Sequence, residues 1–137
     1  NFLGIKSSKV SSSSRGYDLQ FKPNDPNTVY ASGIGFYKST DGGNNFTKIT
    51  TGSIVTDKGS SHGCNWIDVD NDADLDLYVT NDQGQRNFLY LNDGNGNFIS
   101  NINEVITTAN ANSYGNIWSD YDRDGDLDMF TSTRSNK

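Results

Sequence analysis

A single cysteine, Cys64, excludes any disulfide within the chain, so the fold must rest on its core, on bound metal or on neighbouring structure. With no second cysteine to pair with it, that thiol is expected to be inert. Glutamate occurs once and alanine four times in 137 residues, which leaves few strong helix formers. No apolar run is long enough for a signal peptide or a membrane span, and Asn1 is not an initiator methionine, so the expectation is a processed chain or a piece of a longer one. Nothing forms a Ser/His/Asp or Cys/His set, a phosphate loop or a zinc motif. No catalytic residue is therefore assigned, and an enzymatic role is not expected.

Apolar residues make up only 32% of the sequence, but 12% is aromatic, too much ring area for a disordered tail. Asn, Asp, Gly and Ser together supply 64 residues. This composition suits short strands joined by many turns. The net charge of -6 is local, because ten of the seventeen acidic residues lie in the windows 68–76 and 120–128, and without them the balance turns positive. That pattern excludes a general acidic tail, and no basic stripe suggests a nucleic-acid partner.

Shifting the sequence by 52 residues places a second copy in register. Gly63 falls on Gly115, Trp66 on Trp118, and Asp68, Asp70, Asp72, Asp74 and Asp76 on Asp120, Asp122, Asp124, Asp126 and Asp128. Each copy reads as strand, acidic loop, strand: "CNWIDVD" then "LDLYVTN", and "NIWSDYD" then "LDMFTST". "NFLYLNDGNGNFIS" adds a hairpin after the first copy, making about four strands per unit, the content of a propeller blade. Upstream, "YDLQF" and "TVYAS", then "GFYKS" and "NFTKIT" around "TDGG", give another β unit of different sequence. The expected organisation is an N-terminal segment and blade over 1–57, a first repeat over 58–111 and an incomplete second repeat over 112–137. Residues 7–14, "SSKVSSSS", suggest a flexible or edge segment.

Alternating aspartates in a flat strand would stack like charges on one face roughly 6 to 7 Å apart. The second copy, "DYDRDGDLD", resolves the conflict by curling. A loop of this pattern aims side chains at its first, third, fifth and ninth positions inward, with a backbone carbonyl near the seventh, and a glycine at the sixth permits a positive φ. All donors are oxygens, which disfavours zinc and copper and favours calcium over magnesium. A solvated acidic turn is the bland alternative. An EF-hand is excluded because Val79 and Thr131 stand where its bidentate glutamate belongs and the flanks are β-type.

Loop, preceding tryptophan and following "LDL" strand together resemble the FG-GAP or VCBS repeats of integrin-α-like β-propellers, over about residues 62–137. The resemblance implies that Asp68, Asp70, Asp72 and Asp76, and Asp120, Asp122, Asp124 and Asp128, bind calcium through side chains at two sites. Asp74 and Asp126 would contribute main-chain carbonyls. Ala73 departs from the pattern where the second copy has Gly125, and a weaker first site is expected. "STDGGNNF", residues 39–46, is similar to the Asp-box turn of sialidase-like propellers, with Phe46 in place of tryptophan; there Asp41 would bond nearby backbone rather than act in catalysis.

The expected fold is therefore all-β: propeller blades of four-stranded antiparallel sheets, part of a larger propeller that continues into further blades. Trp66 and Trp118 fit core positions better than sugar-stacking platforms. The resemblance implies a secreted or cell-surface setting, a bacterial source being favoured, and an adhesion or interaction module with a protein or glycan ligand. A glycan-binding lectin and a part of a secreted glycoside hydrolase are the other two readings.

Overall fold

The computed structural model describes residues 18–33, 35–101, 105–108 and 112–134; the expectation for residues 7–14 lies outside them. β1 (Asp18–Phe21), β2 (Val29–Ser32), β3 (Phe36–Ser39) and β4 (Thr47–Lys48) form one antiparallel sheet in chain order. A second sheet, again in chain order, contains β5 (Ser61–Ile67), β6 (Asp76–Asn81), β7 (Phe88–Asn92) and β8 (Phe98–Ser100). β9 (Asn112–Ser119) and β10 (Asp128–Arg134) pair as a third. The molecule is all-β with four-stranded antiparallel sheets, and its sheets do not close into a ring among the described residues.

Two single-turn helices, α1 (Ser53–Thr56) and α2 (Val105–Thr108), went unforeseen in a sequence poor in helix formers. Two strands are also shorter than the sequence suggests. β5 stops at Ile67, so that Asp68 to Asp70 already belong to the loop, and only Thr47–Lys48 of "NFTKIT" pairs.

The repeat of 52 residues is a repeat of register. Trp66 faces Leu77 as Trp118 faces Met129, and Cys64 faces Val79 as Asn116 faces Thr131. Each pair then slips at the same place, before Ser61↔Asn81 and Ser113↔Thr133. Gly63 lies beside this slip: a Cβ there would sit 2.6 Å from the Tyr114 carbonyl oxygen of β9. Its missing side chain lets the second and third sheets approach.

β6 is buried along its whole length, because sheets pack on both of its faces. On one face Leu77 and Val79 join Tyr30, Ile54, Trp66, Leu75, Tyr90 and Phe98 in the core. Trp66 lies tilted against Tyr30, with ring centroids 4.9 Å apart, and meets Phe36 and Phe98 edge-on. On the other face Tyr78 meets Trp118 at 5.4 Å, and the Thr80 hydroxyl donates to the Tyr114 carbonyl at 2.8 Å. Each tryptophan thus packs on a tyrosine from the second strand of the preceding sheet; Trp66 lies in the core as expected, whereas Trp118 is only half-buried.

Candidate metal centre

The acidic loops connect β5 to β6 and β9 to β10, and the two follow one backbone path. At the fourth and sixth positions φ is positive: 60° at Asn71 and 71° at Ala73, then 63° at Arg123 and 100° at Gly125. The sixth was expected from Gly125. The fourth was not, although asparagine, which tolerates the left-handed region, offered a signal at position 71; Arg123 offered none. These reversals turn successive peptide N–H groups inward onto carboxylates. Asp68 accepts from the N–H groups of Asp72 and Ala73, both at 3.0 Å, and Asp120 from that of Gly125 at 3.3 Å. The fifth-position carboxylates accept from the seventh-position N–H, at 2.8 Å for Asp72 and 3.0 Å for Asp124. Across each loop the ninth residue reaches back, Asp76 to the Val69 N–H and Asp128 to the Tyr121 N–H, each at 2.9 Å.

Oxygens of Asp68, Asp70 and Asp76 come within 4.8 Å of one another, as do those of Asp120, Asp122 and Asp124. Asp72 and Asp74 stand outside the first trio, and Asp126 and Asp128 outside the second. Between them, the two trios use all four side-chain positions of the motif. Asp120 Oδ1 is buried with no hydrogen-bond partner among the described residues, an acceptor that a cation would satisfy. A set of hard oxygens without histidine or cysteine fits a calcium-type ion.

Burial and crowding act on these carboxyls. Asp76 is fully buried, and burial pushes its carboxyl up to about 7 against the pull of N–H bonds from Asn92 and Val69. Burial, then the neighbouring Asp72, also raises Asp70. The seventh-position aspartates turn elsewhere. Asp74 forms an ion pair with Lys22 of the β1–β2 turn, which holds the lysine above its ordinary value, and Asp126 Oδ1 accepts from Asn71 Nδ2 at 3.4 Å.

Residues 68–131 match the FG-GAP-like repeat family. The match runs from the first residue of the first loop into β10, so the FG-GAP-like segment holds both acidic loops and the complete hairpin between them. Comparison with curated proteins and with solved structures finds no match. FG-GAP-like repeats point to a β-propeller-like interaction module, and the three adjacent sheets have that form. No described helix is long and apolar enough to cross a membrane.

Outside the FG-GAP-like match, Asp41 closes the β3–β4 turn. It accepts from the Asn45 backbone N–H at 2.8 Å, from Asn45 Nδ2 at 2.7 Å and from the Ser39 hydroxyl at 2.7 Å, bonds that pull its carboxyl down to about 2. Sequence reading missed that the β7–β8 turn repeats it. "DGGNNF" at 41–46 and "DGNGNF" at 93–98 are also 52 residues apart, and Asp93 accepts from Asn97 N and Nδ2 at 3.1 and 2.8 Å. Both aspartates are consumed in holding turns. Cys64 lies half-buried 2.9 Å from the Ser32 hydroxyl, and burial pushes its thiol up to about 11, which suits an unreactive role. The half-buried His62 bonds Asp82 at 3.1 Å and meets the Tyr114 ring edge-on.

Proposed function

We propose that the loops 68–76 and 120–128 each bind one calcium ion, and that the ions stabilise a secreted or cell-surface adhesion module that recognises a protein or glycan. Asp68, Asp70, Asp72 and Asp76 would hold one ion, and Asp120, Asp122, Asp124 and Asp128 the other, with the main chain of Asp74 and Asp126 assisting. The observation that carries this reading is the pair of carboxylate trios raised by one backbone path at two places in the FG-GAP-like segment. Calcium then acts structurally. It neutralises each loop and fixes the crossing between the first two strands of a sheet, and the module itself has no catalytic role.

Isothermal titration of the chelator-stripped protein with calcium, repeated with magnesium, tests the assignment. Two bound calcium ions and a preference over magnesium are expected. Thermal unfolding should shift upward with calcium, by about 2.7 kcal/mol of added stability at one hundred times the dissociation constant for each site. No heat and no shift would leave the loops as solvated turns. A glycan array probed with and without chelator then separates sugar from protein as the ligand.

A further inference from the structure

Both seventh-position carboxylates are held from the preceding sheet. Asp74, in the loop of the second sheet, pairs with Lys22 of the first, and its other oxygen packs so closely on the β7–β8 turn that a Cβ on Gly94 would sit 2.6 Å from it. Asp126 is the residue of the third sheet equivalent to Asp74, and it is held by Asn71 of the second. Lys22 and Asn71 occupy corresponding places, each in the link between the first and second strands of its own sheet. Asn71 makes a further bond, from Nδ2 to the Gly125 carbonyl at 3.4 Å. One amide therefore grips two consecutive residues of the second acidic loop.

Asn71 itself lies between Asp70 and Asp72 of the first loop, at a positive φ of 60°. Whatever fixes those aspartates fixes the amide between them. Resting on the calcium reading above, we propose that Asn71 is a positioning residue that couples the two loops, so that a cation in the first strengthens binding in the second. By linkage the effect runs equally in the other direction. The seventh aspartate serves as the receiving end: its carboxylate ties its loop to the neighbouring sheet instead of joining its own oxygen cluster.

Calcium titration of the whole chain, read by NMR at the Gly125 amide, isolates the second loop. Asp70→Asn, which disables the first loop, should raise the calcium midpoint at Gly125 about two- to tenfold, the range expected for losing a weak bifurcated hydrogen bond. Asn71→Gly keeps the left-handed backbone while removing the amide. It should raise the same midpoint by a similar factor, with the first loop still binding calcium. Adding Asp70→Asn to Asn71→Gly should then change nothing further at Gly125, a non-additivity that a merely structural role would not produce. Equal Gly125 midpoints in the parent and both single variants, with two ions bound in the parent, would overturn the coupling alone. An absence of calcium response in the parent would overturn the calcium reading and the coupling with it.

Discussion

The two acidic loops share spacing, backbone path and most of their hydrogen bonds, yet they sit in different surroundings. In the first, Asp76 is wholly buried and its Oδ1 accepts from the Asn92 N–H of β7 at 2.8 Å, so loop and hairpin are joined. In the second, Asp128 is exposed and, among the described residues, its carboxylate accepts from the Tyr121 N–H within the loop. Just beyond it, Tyr78 has no exposed surface whereas its counterpart Phe130 is 70% exposed. The shape of the loop is thus a local property of nine residues, while its burial depends on the strands beside it. Geometry repeats with the sequence; environment does not.

The largest expected effect tests that difference at the tryptophans. Trp66→Ala removes a side chain enclosed by Tyr30, Phe36 and Phe98, and should cost about 3–5 kcal/mol. Trp118→Ala removes a half-buried ring whose indole N–H is already served by Asn116, and should cost under about half as much. Urea unfolding midpoints of the two variants check the contrast. Equal losses would mean that the third sheet is as tightly packed as the second.

A smaller contrast is expected at the ninth position in chelator. Asp76→Ala leaves the N–H groups of Val69 and Asn92 without their acceptor, at a cost of about 2–4 kcal/mol, whereas Asp128→Ala frees one N–H that water can reach, at less than about 1 kcal/mol. The Asp76 loss should depend on pH. Its folded-state value, about 7, lies above the ordinary 3.8, so the metal-free fold favours the protonated acid. That contribution is complete below about pH 4 and fades as pH rises through 7. The gap between parent and Asp76→Ala should therefore be wider at pH 5 than at pH 8; a gap that widens with pH would contradict the assignment of burial as the main cause.

Local features of this kind were largely legible in the sequence. The alternating aspartates, the tryptophans and the two hairpins were readable because turn chemistry and strand periodicity act over a few residues. The matching Asp93–Asn97 turn was equally readable, at the same shift of 52, and was missed. What could not be read is how the sheets meet. Nothing in "FKPND" announces that Lys22 will reach Asp74, and Asn71 looks like any turn asparagine until the third sheet is beside it. Such contacts depend on the docking of whole sheets, which residue spacing within one repeat does not encode. The left-handed Arg123 is likewise imposed by the loop path against its own preference.

The smallest expected effect concerns the sixth position, one of three at which the loops differ in sequence. Ala73 holds φ at 71°, close to the left-handed well that non-glycine residues enter at a cost of about 1 kcal/mol, so the strain foreseen at this position is present. Ala73→Gly relieves it but also loosens the unfolded chain, leaving a net gain of at most about 0.5 kcal/mol, or roughly a twofold lower calcium midpoint at the first loop. Gly125→Ala is not the mirror image. A Cβ there meets no atom within 4 Å, so crowding plays no part, but its φ of 100° lies outside the left-handed well. The second loop must therefore shift toward the path of the first or lose about 1–2 kcal/mol. Calcium midpoints of the two variants, each against the parent, decide the matter: a change at Gly125→Ala no larger than that at Ala73→Gly would show that alanine suits both loops equally and that the first carries no handicap.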